Sequence, residues 1–221
     1  MTLKIKICGL STEATLDAAL DAGADMIGLV FHAASPRYIG VGRAAALAER
    51  ARGRAEIVAL TVDPGDHQLE EIVAEIRPDW LQLHGRETPE RTGDIAGRFG
   101  IRTMKAIPVQ VTTDPRAAGA FRGIVDLILF DARPPRGADR PGGHGRPFDW
   151  TLLAGAGLPP FMLSGGLNPG NVAEAIRVTK PAGVDVSSGV ETAPGRKDPD
   201  LIRAFVAAAR MAAAAPAEAP Q

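Results

Sequence analysis

The chain contains one cysteine, Cys8, and a single thiol closes no intramolecular disulfide. A reducing compartment, the cytoplasm, is therefore the expected setting. No charged leader followed by a long apolar stretch opens the sequence, so secretion is unsupported. No run of about 18 apolar residues occurs, and no membrane span is expected. An excess of either charge is lacking too: 25 Lys and Arg stand against 26 Asp and Glu, a net charge of −1 without long runs of one sign. That balance argues against a nucleic-acid or membrane-surface partner. No strand runs into Gly-x-Gly-x-x-Gly with an acidic residue about twenty positions later, which weakens a dinucleotide-binding reading. His32, His67 and His144 form no metal-ligand spacing with Cys8, so no metal site is expected.

What is present is alternation. The 221 residues, 45% of them hydrophobic, suffice for one full core. Eight short apolar runs each precede a segment of helical spacing, which predicts βα units and a parallel sheet. The strands are expected at 4–8, 26–30, 57–61, 80–83, 103–106, 127–130, 161–163 and 183–186, all without proline. Helices are expected at 12–22, with Ser11 as N-cap, and at 42–52, 68–76, 89–99, 115–121, 150–154, 171–178 and 199–211. Eight of each is the count of a TIM (β/α)8 barrel, a single domain over residues 1–211, and favours it over an open doubly wound sheet. Residues 212–221, AAAAPAEAPQ, are low in complexity and expected to be disordered.

In such a barrel the chemistry lies where the strands end. Polar residues at those ends are Cys8, the loop from His32 to Tyr38, Asp63, His84, Lys105, Asp131, Ser164 to Gly166 and Ser187 to Gly189. LSGGLN and VDVSSGVE, after the seventh and eighth strands, each set serine and glycine behind an apolar run, which suits a phosphate cradle at Gly165, Gly166, Ser187 and Ser188. A short helix opening near Ser188 or Val190 would aim its N-terminus at the anion. A phosphorylated small molecule is the implied ligand.

Asp131 closes the sixth strand and faces the same mouth as Cys8 from nearly the opposite side. Together they form a candidate acid–base pair, the thiol partly ionised by nearby positive charge. Taken alone, a lone thiol is a small buried hydrophobe and a lone aspartate a loop cap. Asp185, one residue inside its strand, reads as structural. Arg37 could fork onto a carboxylate or simply face solvent. His84 could contact substrate or serve the fold, and Lys105 has a weak case as a Schiff-base lysine. The segment from Ala132 to Arg146 reads as a lid or an exposed linker, with Gly142 and Gly143 reaching the ligand in the first case.

KICG, FHAASPRYI, LQLHG, LFDA with GGHG, LSGGLNPGNV and VDVSSGVE followed by PGRKD occur in order from Lys4 to about Asp198. As a set they resemble the phosphoribosylanthranilate isomerase family of tryptophan biosynthesis. The resemblance implies a cofactor-free Amadori rearrangement of N-(5-phosphoribosyl)anthranilate to 1-(2-carboxyphenylamino)-1-deoxyribulose 5-phosphate, with Asp131 as general acid and Cys8 as general base. It also implies that Arg37 holds the anthranilate carboxylate and that Gly165, Gly166, Ser187 and Ser188 bind phosphate, with Gly143 closing from the lid. The chain departs from the family where His144 stands in place of the usual threonine of Gly-Gly-Thr-Gly. Rival readings are another phosphosugar isomerase, whose family pattern is a pair of aspartates, and a catalytically silent ligand-binding barrel. The oligomer is expected to be a monomer or a homodimer.

Overall fold

Short runs of β-branched and leucine residues alternate with helix formers, and the computed structural model, which describes residues 2–111, 114–132, 147–154 and 157–215, folds them in that alternation. Strands β1 (Lys4–Cys8), β2 (Met26–Val30), β3 (Glu56–Thr61), β4 (Trp80–Leu83), β5 (Arg102–Val109), β6 (Leu127–Ala132), β7 (Phe161–Leu163) and β8 (Gly183–Val186) pair in chain order, and β8 closes back on β1. Every ladder in the ring is parallel. The expected (β/α)8 barrel is the fold. Among the described residues no helix is long and apolar enough to cross a membrane.

Around the sheet lie α1 (Glu13–Asp21), α2 (Val41–Ala51), α3 (Asp66–Ile76), α4 (Pro89–Phe99), α5 (Val172–Thr179) and α6 (Pro199–Ala214). Four expectations need correction. The cap of α1 is Thr12, not Ser11, because the Thr12 hydroxyl accepts from Thr15 N at 3.3 Å. The fifth and sixth helices are 3-10 segments, Asp114–Phe121 and Trp150–Leu152. Pro115 lacks an N–H, and Gly119 weakens the helix by about 1 kcal/mol relative to alanine. Strand β5 runs on to Val109 and includes Pro108, which sits exposed at the rim. Helix α6 continues through the alanines to Ala214, since alanine is the best helix former. Residues 216–221 of the expected tail lie outside the described residues.

Side chains alternate between two environments along each strand, as the pleat requires. Ile5, Ile7, Ile27, Leu29, Ile57, Ala59, Leu81 and Leu83 belong to the layer between sheet and helices. Met26, Val58, Trp80, Met104, Leu129 and Met162 fill the barrel's axis. Cys8, Val30 and Leu60 form a separate cluster above them. One inward position in β1 is not apolar. Lys6 is fully buried, and the β1–β8 register sets it opposite Asp185, whose Oδ1 it bonds at 2.8 Å. Ser164 Oγ donates to the other oxygen, Oδ2, at 3.0 Å. This pair neutralises what would otherwise be an unpaired charge inside the barrel.

The seam makes a stability prediction. Lys6→Met leaves the Asp185 carboxylate buried without its cation, and is expected to cost roughly 3–5 kcal/mol in a urea titration. Lys6→Met combined with Asp185→Leu removes both charges and is expected to recover most of that loss. A single variant within about 1 kcal/mol of the parent chain contradicts this account.

Candidate active site

Cys8 is the last residue of β1, and its parity turns it inward with Val30 and Leu60. It is 3% exposed. The paired position on β2 is Gly28, where a Cβ would lie 2.9 Å from the sulfur and 3.2 Å from Lys6 Nζ. Glycine there leaves room for both groups. The Lys6 ammonium bonds Asp185 beside the sulfur, and its charge favours the ionised form of Cys8. Burial pushes the thiol pKa up, and the pull of Lys6 and Lys197 toward ionisation does not overcome it. The expectation of a partly ionised thiol is thus met in its positive neighbours but outweighed by desolvation. Burial acts on Lys6 in the opposite sense, yet Asp185 and Cys8 together raise its pKa and keep it charged.

Asp131 stands two residues beyond the axial Leu129 on β6, so it too turns inward at the C-terminal rim. Between β6 and β1 lie only β7 and β8, which sets thiol and carboxyl on well-separated arcs of one ring. Oδ1 of Asp131 accepts from Ala132 N at 2.9 Å, and Oδ2 pairs with His84 Nε2 at 3.1 Å. His84 Nδ1 pairs in turn with Gln82 Nε2 at 3.0 Å. Gln82 and Asp131 together hold the two ring nitrogens, and the tautomer follows from which of them donates. Both ring nitrogens therefore have protein partners. Gly165, with φ +87°, brings the β7 loop against this group: a Cβ there would lie 3.0 Å from Asp131 Oδ1 and 2.4 Å from Ala132 N.

Arg37, in the loop after β2, lies with its stem along Gly9, where a Cβ would meet its Cδ at 2.7 Å. Its Nε and Nη2 donate to Glu191 Oε1 and Oε2 at 2.7 and 2.8 Å, a bidentate pair that is almost fully buried. Glu191 opens an unforeseen hairpin, β9 (Glu191–Ala193) with β10 (Arg196–Lys197). Lys197 bonds Glu191 Oε1 at 2.6 Å, Ser187 O at 2.9 Å and Ser187 Oγ at 3.1 Å. Burial lowers the Lys197 pKa to about 8 despite the attraction of Glu191. For Glu191 burial raises the pKa, but the bonds from Arg37 and the charge of Lys197 bring it below the usual carboxylate range.

The two serine–glycine loops meet. A Cβ on Gly189 would lie 1.8 Å from Leu167 O, so only glycine permits the backbones of the β7 and β8 loops to touch. A 3-10 turn, Ser188–Val190, opens where a short helix was expected. Ser187 Oγ donates to Cys8 O at 3.1 Å, which ties the cradle to the thiol's strand. Lys105 turns away from the axis and bonds Glu87 Oε2 at 2.9 Å and Gly85 O at 2.8 Å, which leaves no case for a Schiff base. Asp63 Oδ1 accepts from Arg86 N and serves the β4 loop. Gly143 and most of the expected lid lie outside the described residues. Sequence reasoning missed Lys6, Gln82, Glu191 and Lys197. Inward parity with Cys8 could have found Lys6, and parity with His84 could have found Gln82.

Because Cys8 is the only thiol, alkylation reports on it alone. Iodoacetamide attacks the thiolate, so the raised pKa predicts a rate-against-pH midpoint on the alkaline side of free cysteine. A midpoint at or below that of free cysteine contradicts the electrostatics described.

A family model described as N-(5'phosphoribosyl)anthranilate (PRA) isomerase matches residues 5–208. The N-(5'-phosphoribosyl)anthranilate isomerase of Rhodopseudomonas palustris (strain BisA53) is 60% identical over 211 residues, 95% of this chain and 97% of the relative. The crystal structure of phosphoribosyl anthranilate isomerase from Thermotoga maritima is 34% identical at a TM-score of 0.85, covering 95% of this chain and 99% of its own. A second solved structure, a phosphoribosyl anthranilate isomerase in complex with reduced 1-(o-carboxyphenylamino)-1-deoxyribulose 5-phosphate, reaches 0.82 at 33% identity with the same coverage. Matched almost end to end in sequence and in fold, the chain belongs to the family of N-(5'-phosphoribosyl)anthranilate isomerases.

Proposed function

We propose that this isomerase of tryptophan biosynthesis converts N-(5-phosphoribosyl)anthranilate to 1-(2-carboxyphenylamino)-1-deoxyribulose 5-phosphate with Cys8 as general base and Asp131 as general acid. The observation that carries the reading is the placement of both groups, inward-facing, on one rim of the barrel. Asp131 gives a proton to the furanose ring oxygen, and the ring opens to a Schiff base. Cys8, as thiolate, removes the C2′ proton. The resulting enolamine takes a proton at C1′ and loses one from the C2′ hydroxyl, leaving the ketone. C2′ is oxidised as C1′ is reduced, so no redox cofactor is needed.

The ligand held by the related structure carries a carboxylate at one end and a phosphate at the other. The chain offers a grip for each. Arg37 takes the anthranilate carboxylate through its guanidinium, and Gly165, Gly166, Ser187 and Ser188 take the phosphate through backbone N–H groups at adjoining loops. The Ser187 hydroxyl already donates to Cys8 O, so its main-chain N–H is the donor assigned to the anion. His84 acts on Asp131 by holding its carboxyl in place through the Nε2–Oδ2 contact. The reading places the enzyme in the cytoplasm as a monomer or a homodimer, with a small phosphosugar as its partner.

Cys8→Ser and Asp131→Asn are expected to lower kcat by about 10²–10⁴-fold while affinity for the reduced product analogue stays within about tenfold. Loss of anthranilate-type fluorescence gives the rate and titration calorimetry the affinity. Equal losses of both would assign the pair to structure instead. Arg37→Ala is expected to raise KM with kcat little changed, and an unaltered KM removes Arg37 from the site.

A further inference from the structure

The β9–β10 hairpin stands behind two of the groups assigned to the ligand, and two of its charged side chains, Glu191 and Lys197, are shut off from solvent. Glu191 is 3% exposed and Lys197 1%. Each Glu191 oxygen already accepts two bonds. Oε1 takes Arg37 Nε and Lys197 Nζ, and Oε2 takes Arg37 Nη2 and, at 3.3 Å, Gly195 N. A carboxylate has about four such sites, and all are filled. The three protons of Lys197 are taken by Glu191 Oε1, Ser187 O and Ser187 Oγ. Neither residue has a polar site left with which to touch a ligand, so their effect on its binding must pass through Arg37 and Ser187, while the Lys197 charge reaches Cys8 only through space.

The connection is rigid as well as continuous. At the hairpin turn a Cβ on Gly195 would lie 2.4 Å from Pro36 O, so the turn presses directly on the backbone that presents Arg37. From there the contacts run through Glu191 and Lys197 to Ser187, and Ser187 Oγ bonds Cys8 O at 3.1 Å. Two cations share one carboxylate in this trio, so the trio is net positive, and it lies between the two places where the proposed ligand is anionic.

We propose that Glu191 and Lys197 are positioning residues that lock the carboxylate grip at Arg37 to the phosphate loop at Ser187, fixing the spacing at which one molecule satisfies both. This rests on the assignment of Arg37 and Ser187 to the ligand made above. The hairpin acts as a gauge for ligand length. A ligand bearing both anions gains from the fixed spacing, because the second contact forms without further ordering of the site.

Lys197→Met is the informative variant, since it keeps the stem and leaves Arg37 and Glu191 as a neutral pair. It is expected to raise KM about tenfold, the scale of a lost charge-assisted hydrogen bond, with a smaller fall in kcat from loss of a cation near Cys8. In the Arg37→Ala background the same substitution is expected to raise KM less than about threefold, because the link no longer has a grip to align. Lys197→Gln, which keeps a donor toward Ser187, is expected to lie between the two. Equal KM effects in both backgrounds overturn the proposal, as does a Lys197→Met enzyme with unchanged KM. Failure of both Lys197 variants to unfold cooperatively in urea also overturns it, by assigning the residue to stability alone. Arg37→Ala with unchanged KM overturns the underlying reading instead, so the two failures are distinguishable.

Discussion

The contact on which the molecule depends is the seam between the first and last strands. Closing β8 onto β1 sets Lys6 against Asp185 across the barrel's interior, and the register that makes this ion pair also turns Cys8 inward one pleat higher. A one-residue slip of β1 against β8 would turn Lys6 and Cys8 away from the axis and leave Asp185 without its cation. Ser187 then bonds Cys8 O across the same seam. The thiol, its nearest cation and the start of the phosphate loop are thus placed by one strand pairing.

Above the seam a repeated arrangement holds the polar groups. Each side chain assigned to the reaction has a partner behind it that fixes its direction. Lys6 stands under Cys8, Gln82 and His84 stand behind Asp131, and Glu191 stands behind Arg37. Such partners reduce the reorganisation needed when charge moves, which is where much of an enzyme's rate originates. They also set the electrostatics. Burial dominates at Cys8 and raises its pKa, while at Glu191 two cations overcome burial and keep the carboxylate ionised.

The barrel could be read from the alternation of short apolar runs with helical spacing, because eight such units of this length have few other ways to bury both faces of their strands. Strand ends located Cys8, Asp131 and the serine–glycine loops for the same reason. Helix type was less legible. Whether Pro115 and Gly119 permit an α-turn depends on how tightly the chain returns to β6, and spacing carries no such information. The partners were least legible. Lys6 and Asp185 lie 179 positions apart, and Arg37 and Glu191 lie 154 apart. Only barrel closure brings them together, so no local pattern marks them. The β9–β10 hairpin is too short, at three and two residues, to leave a periodic signal. Its sequence formed part of the family resemblance while Glu191 and Lys197 had no role assigned.

The central claim is geometric: one sugar lies between Cys8 and Asp131 with its anionic ends on Arg37 and on the two serine–glycine loops. A crystal structure with the reduced product analogue bound tests it most directly. The account predicts the Cys8 sulfur within about 3.5 Å of C2′, the Asp131 carboxyl beside the ring-derived oxygen, and the phosphate on the backbone of residues 165–166 and 187–188. A bound analogue with C2′ turned away from Cys8, or with its phosphate on any other part of the barrel, contradicts it.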